Sequence, residues 1–281
     1  MCSHILVVCL VIGIFPSAVI GQNQHFVPSQ YPTIQSAVDA AVSGDEVYVS
    51  PGTFVGVTSF GAKNIKLVGV GGPNVTILDG SGSGPIVSWA ASTTVPMIAH
   101  HHIEGFTFQN GNSTTTITAW YFCGIPGFPC PPGGRDRTVG GAICGRGGSS
   151  VIRDCRFINN QAQRGGAVWV DGNYQIASGV QGLNMNNCQF ILNTATPYVG
   201  TVFSTDSEGG SALSVDASNV SITNCVFDSN TYNGPPPIAA IGAAGCVRLY
   251  HSFHHALSGC AFRNNASTYL YDYALVMYVN N

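Results

Sequence analysis

Ile152-Arg-Asp-Cys-Arg-Phe-Ile-Asn-Asn160 returns as Met185-Asn-Asn-Cys-Gln-Phe-Ile-Leu-Asn193, as Ile222-Thr-Asn-Cys-Val-Phe-Asp-Ser-Asn230 and as Leu257-Ser-Gly-Cys-Ala-Phe-Arg-Asn-Asn265. The copies align without a gap, and their cysteines, Cys155, Cys188, Cys225 and Cys260, stand 33, 37 and 35 residues apart. Ile103-Glu-Gly-Phe-Thr-Phe-Gln-Asn110 is a looser earlier copy with Phe106 in the cysteine place. A near-constant period of this length marks a repeat architecture. The third position of the five copies is Gly105, Asp154, Asn187, Asn224 and Gly259. These residue types best tolerate positive φ, which predicts a tight bend at the same point of every copy. Directly after it, Cys and Phe stand two residues apart, so both face one side of a strand. That side is expected to be the inside.

One strand-bend-strand unit cannot bury its apolar side alone, whereas stacked units bury a continuous column. The expected fold class is therefore all-β, a right-handed parallel β-helix, its hand following the rule for parallel crossovers. Phe157, Phe190, Phe227 and Phe262 form one predicted inner ladder, and Cys155, Cys188, Cys225 and Cys260 another. Equivalent rungs about 4.8 Å apart would permit bridging of the cysteines. Stacked small thiols in a core are the favoured reading, with Cys144 and Cys246 unassigned. Asn160, Asn193, Asn230 and Asn265 read as an amide ladder from rung to rung.

Outward from the repeats, Gly140-Gly-Ala-Ile143, Gly165-Gly-Ala-Val168 and Gly209-Gly-Ser-Ala-Leu213 start the next strand of each copy. The interval between Phe106 and Cys155 holds an insertion, residues 113–138, too rich in Cys, Pro and Gly for a rung. Within it Cys123 and Cys130 flank a short Pro-rich loop and are the expected disulfide in an oxidising compartment. Near the start, Ile34, Ala37, Val38, Ala41 and Val42 follow helical spacing, so 31–42 is the expected helix capping the first rung, with Pro32-Thr33 as its start and Gly44 as its stop. Short strands follow at Glu46–Ser50, Ile65–Val68 and Val75–Leu78.

Residues 1–21, with the apolar run Ile5–Phe15 before Pro16, Ser17 and Ala18, read as a signal peptide. The run is too short to span a bilayer comfortably, and Cys2 and Cys9 would leave with it. A single secreted or cell-surface domain over 22–281 is expected. Sequons at Asn74, Asn112 and Asn219 are candidate glycosylation sites, whereas Asn265 is a ladder residue.

Of the 281 residues 45% are apolar and 8% charged, with a net charge of −3. The chain is long enough to bury a sizeable core, and charge-driven disorder is excluded. So is a basic stripe for nucleic acid.

Residues 31–80, from Tyr-Pro-Thr-Ile-Gln-Ser-Ala-Val-Asp-Ala-Ala through Lys66-Leu-Val-Gly-Val-Gly and Val75-Thr-Ile-Leu-Asp-Gly, resemble the opening of pectin-lyase-like β-helix proteins, pectin methylesterases among them. Phe157-Ile-Asn-Asn-Gln-Ala and Gly165-Gly-Ala-Val168 are similar to the repeats of chlamydial polymorphic outer-membrane proteins. Together the resemblances cover most of 22–281. They imply a β-helix on which lyases, hydrolases, esterases, epimerases and non-catalytic adhesins all occur. The catalytic segments of pectin methylesterases, polygalacturonases and pectate lyases have no counterpart here. Trp169-Val-Asp171-Gly is a partial echo of one lyase strand, without its histidine.

A β-elimination site needs a base and cations that stabilise enolate charge. The available cluster is Arg153, Asp154, Arg156, Arg164 and Asp171; solvated outer-face charge is the favoured reading. Asp206, Glu208, Asp216 and Asp228 could offer oxygen ligands to calcium but lack a recognisable spacing. His100-His101-His102, His251 and His254-His255 are expected in exposed loops rather than on zinc. The leading expectation is thus a non-catalytic, cofactor-free β-helix for surface attachment or glycan contact, with no nucleic-acid partner and no transmembrane segment in the mature chain. The alternative is a uronate polysaccharide lyase built on Arg153, Asp154, Arg164 and Asp171. Tyr271–Val279 alternates as a strand with no capping helix after it, so the last rung is expected to pair with another chain or with a continuation of the β-helix.

Overall fold

The computed structural model describes residues 22–90, 100–113, 116–118, 136–172, 182–196, 209–216, 218–233, 246–250, 254–267 and 277–280. Its strands stack into four parallel sheets whose neighbours come from successive repeats, an arrangement consistent with a parallel β-helix or solenoid. The chain visits the sheets in a fixed order. One complete rung runs from Ser149–Arg153 in the first sheet to Arg156–Ile158 in the second, Gln161–Ala162 in the third and Val168–Asp171 in the fourth. The insertion departs from this pattern, since Thr116–Thr118 and Asp136–Thr138 pair antiparallel. Cys123, Cys130 and 1–21 lie outside the described residues, as do Asp206, Glu208 and His251.

The predicted bend is present at every copy. Gly105, Asp154, Asn187, Asn224 and Gly259 have φ of 80°, 54°, 51°, 52° and 64°. A second left-handed position, before the amide ladder, holds Asn110, Asn159, Leu192, Ser229 and Asn264, with φ between 51° and 57°. Leucine there is strained, and its side chain is 54% exposed. Ahead of the fourth sheet, a Cβ on Gly165 (φ 60°) would meet the carbonyl oxygen of Val168 at 2.3 Å, so the Gly-Gly pairs are required by backbone contact.

Inside, the expected ladders form. Phe108, Phe157, Phe190, Phe227 and Phe262 stack with successive ring centroids 5.1, 4.7, 4.7 and 4.7 Å apart. Asn160 donates its backbone N–H and its amide to Asn193 Oδ1, both at 3.0 Å. Asn193 does the same to Asn230, at 3.0 and 2.9 Å, and Asn230 to Asn265, at 2.9 Å twice. Cys155, Cys188 and Cys225 are buried free thiols that lean on main-chain carbonyls such as Arg153 O (3.1 Å) and Asn186 O (3.3 Å). Burial pushes the Cys188 thiol well above its ordinary range. Cys144 and Cys246 are free as well.

The helix covers Ile34–Ala40, shorter than 31–42. Thr33 starts it by accepting Ser36 N–H at 3.1 Å. The stop comes from Asp45 rather than Gly44: Ala41 is already extended, and Asp45 Oδ2 takes the Val42 N–H at 2.9 Å. Ile34, Ala37 and Val38 pack with Val27 and Val47 into the core. No helix among the described residues is long and apolar enough to cross a membrane.

Candidate functional site

The four residues of the alternative lyase site do not converge. Arg153, at the end of a first-sheet strand, binds Glu104 at 2.5 Å. Asp154 sits at the next bend and accepts from Asn187 Nδ2 at 2.6 Å. Arg156 donates to Asn74 Oδ1 at 2.5 Å. Arg164 and Asp171 belong to a different sheet, before and at the end of a fourth-sheet strand. The expectation of solvated charge fails for these two, which are 1% and 6% exposed.

Strand alternation explains where they go. In the fourth sheet Val168, Val170, Leu213, Val215, Val247 and Leu249 point into the core. The residues between them, Trp169, Ser214, Arg248 and the register pair Asp171 and Asp216, therefore point outward. They are nevertheless buried, and they bind one another. Asp216 accepts from Trp169 Nε1 at 2.7 Å, from the Arg248 guanidinium and, at 3.8 Å, faces Arg164. Arg248 also reaches Ser214 Oγ at 3.1 Å, and Asp171 lies 3.7 Å from Arg146. Burial alone would raise the Asp216 carboxyl; the Arg248 and Arg164 charges prevail and hold it below the ordinary carboxylate value. Such a group is a fixed anion. Sequence reasoning passed over Arg248 and met Trp169 only in the partial echo of a lyase strand, although their alternation with inward valines and leucines was a usable signal.

Asp216 is thus committed to arginine and indole donors, a poor arrangement for calcium. Asp228 accepts from Ser229 Oγ at 2.9 Å and Asn264 Nδ2 at 3.1 Å. Among the described residues no group of three His, Cys, Asp or Glu side chains is placed to hold a metal ion. The histidines also correct the loop expectation. His100–Glu104 is a strand, and His101 points inward, its ring tilted against Trp89 and Phe60 with centroids 4.6 and 5.7 Å away. Burial pushes the His101 imidazole down to about 3. His254 and His255 are exposed, His255 within the strand His255–Ser258.

The outer face of the first sheet is different in character. Its early part is charged and internally paired: Glu46 with Lys66 at 2.8 Å, and Glu104 with His102 at 2.7 Å and Arg153 at 2.5 Å. The Lys66 ammonium holds the Glu46 carboxyl below its usual value. Over the last four strands the face becomes an open concavity of about 410 Å³. Two outward rows line it across the rungs, Ser149, Gly182, Asn219 and His254 beside Val151, Asn184, Ser221 and Ala256. His254 Nδ1 lies 3.3 Å from Asn219 Oδ1. No Asp, Glu, Lys or Arg contributes to this lining. Among apolar neighbours, the amides of Asn184 and Asn219 and the hydroxyls of Ser149 and Ser221 can hydrogen-bond a hydroxyl-rich ligand.

Of the expected glycosylation sites, Asn74 and Asn112 are exposed and Asn219 is half-buried within the lining of the concavity. Asn265 accepts from Asn230 and donates to Phe227 O at 2.9 Å, as a ladder residue must. Neither the family models, nor the curated proteins, nor the solved structures contain a match to this chain.

Proposed function

We propose that the chain is a secreted, non-catalytic, right-handed parallel β-helix, closed at its first rung by the 31–42 region, that contacts glycan. The observation that carries this reading is the concavity on the first sheet, which holds no Asp, Glu, Lys or Arg and sets the amides of Asn184 and Asn219 and the hydroxyls of Ser149 and Ser221 among apolar neighbours such as Val151, Leu183, Val220 and Ala256. Support for a non-catalytic role comes from the fourth sheet, where the buried carboxylate and guanidinium groups are engaged with one another and Asp216 is held ionised. A uronate lyase is the second reading, favoured by the approach of Arg164 and Arg248 to one face beside Trp169. Retention of the purified chain on immobilised polysaccharides, run beside an absorbance assay for unsaturated uronate products, separates the two. Retention without absorbance change is expected. Product formation abolished by Arg164→Ala would replace the first reading by the second.

A further inference from the structure

From the concavity we infer that the ligand is an extended, neutral glycan lying along the stack axis, one sugar to a rung. This inference rests on the glycan-contact reading and gives it a ligand class. Its first support is charge. The concavity holds no Lys or Arg to meet a carboxylate or sulfate, its basic side chains being the imidazoles of His254 and His255, and Lys66 and Arg153 elsewhere on the same face are taken by Glu46 and Glu104. An anionic sugar brought against it would lose water and gain no lysine or arginine counter-charge. Sugar hydroxyls lose little by exchanging water for the amide of Asn184 and the hydroxyl of Ser221.

The second support is periodicity. Val151, Asn184, Ser221 and Ala256 are register partners on four successive strands. They therefore repeat at about 4.8 Å along the stack, close to the advance of one sugar in a straight β-linked chain. The parallel row passes through Gly182, which leaves backbone as floor. Along a strand the outward positions are two residues and so about 6.6 Å apart, which leaves the shorter spacing to the axial direction. A ligand that repeats its own hydroxyl groups matches the axial direction.

The test uses the purified chain, a β-1,4-linked glucan oligosaccharide series and an oligogalacturonate series of matching lengths, titrated calorimetrically at neutral pH. Affinity for the neutral series should rise with each sugar up to four, the number of lining strands, and then level off. Asn184→Ala should weaken it about three- to tenfold, the loss of one hydrogen bond. Ser221→Arg should add binding of the charged series that the native chain lacks. If only the oligogalacturonates bind the native chain, the neutral assignment falls while the glycan reading stands. Neutral binding without length dependence overturns the one-sugar-per-rung register. If neither series nor any polysaccharide on the retention panel binds, the underlying reading itself is wrong.

Discussion

Leu192 stands where the neighbouring rungs place Asn159, Ser229 and Asn264, all at positive φ. A left-handed conformation costs an ordinary L-residue roughly 1–2 kcal/mol, and asparagine less. Leu192→Asn should therefore stabilise the fold by about 1 kcal/mol, visible as a higher urea midpoint with an unchanged slope; an unmoved midpoint would mean the strain is relieved elsewhere. His101 carries the opposite liability. The unfolded imidazole takes its proton near pH 6.5, whereas the buried one holds out to about 3. As pH falls through this window the unfolded state binds more protons, so stability declines by up to about 1.4 kcal/mol per pH unit. His101→Phe should flatten the stability profile between roughly pH 6.5 and 4.5, above the range where the carboxylates enter. If the slope survives, another group sets it. The first bend was legible because Gly, Asp and Asn occupy it. The second was not, because Leu192 and Ser229 are held there by the rungs around them.

Within an element, the inner ladder carries the largest single contributions. Phe190 lies between Phe157 and Phe227 with both centroids at 4.7 Å. Phe190→Ala should cost about 3–5 kcal/mol, measured by equilibrium urea unfolding; a change below 1 kcal/mol would contradict the packing of the column. The ladders were readable because a period-two pattern repeated in aligned copies leaves one inside. The strand His100–Glu104 was not, because three consecutive histidines carry no apolar alternation of their own; the inward Ile103 two residues on sets His101 inside, where Trp89 and Phe60 meet it. The end of the helix was missed for a related reason. A side chain three residues downstream, Asp45, captures the Val42 N–H, a contact with no mark in local propensity. The concavity was also invisible in the sequence, since Ser, Gly, Asn and Ala become a lining only when four rungs are set in register.

For the whole molecule, a stack of nearest-neighbour units unravels from its ends before its middle. Cys155, Cys188 and Cys225 are buried, while Cys260 on a later rung is partly exposed. Under native conditions an alkylating reagent should modify Cys260 first and the other three only at rates set by wider opening, as read by timed peptide mass mapping. Uniform labelling of all four would indicate global rather than stepwise opening. The same uniformity that makes the columns stack has another consequence. Rungs bearing Cys, Phe and Asn at identical places are nearly interchangeable, so a growing chain could seat one copy on the wrong neighbour and still fill each column. What breaks the degeneracy are the contacts that occur once. A Cβ on Gly145 would lie 2.1 Å from the Trp89 ring, so only a glycine rung accepts that indole. Asp216 meets Trp169 on one side and Arg248 on the other, which no other ordering of the copies would reproduce. The irregular residues thus serve as keys to the order of assembly, distinguishing the native sequence of rungs from its permutations.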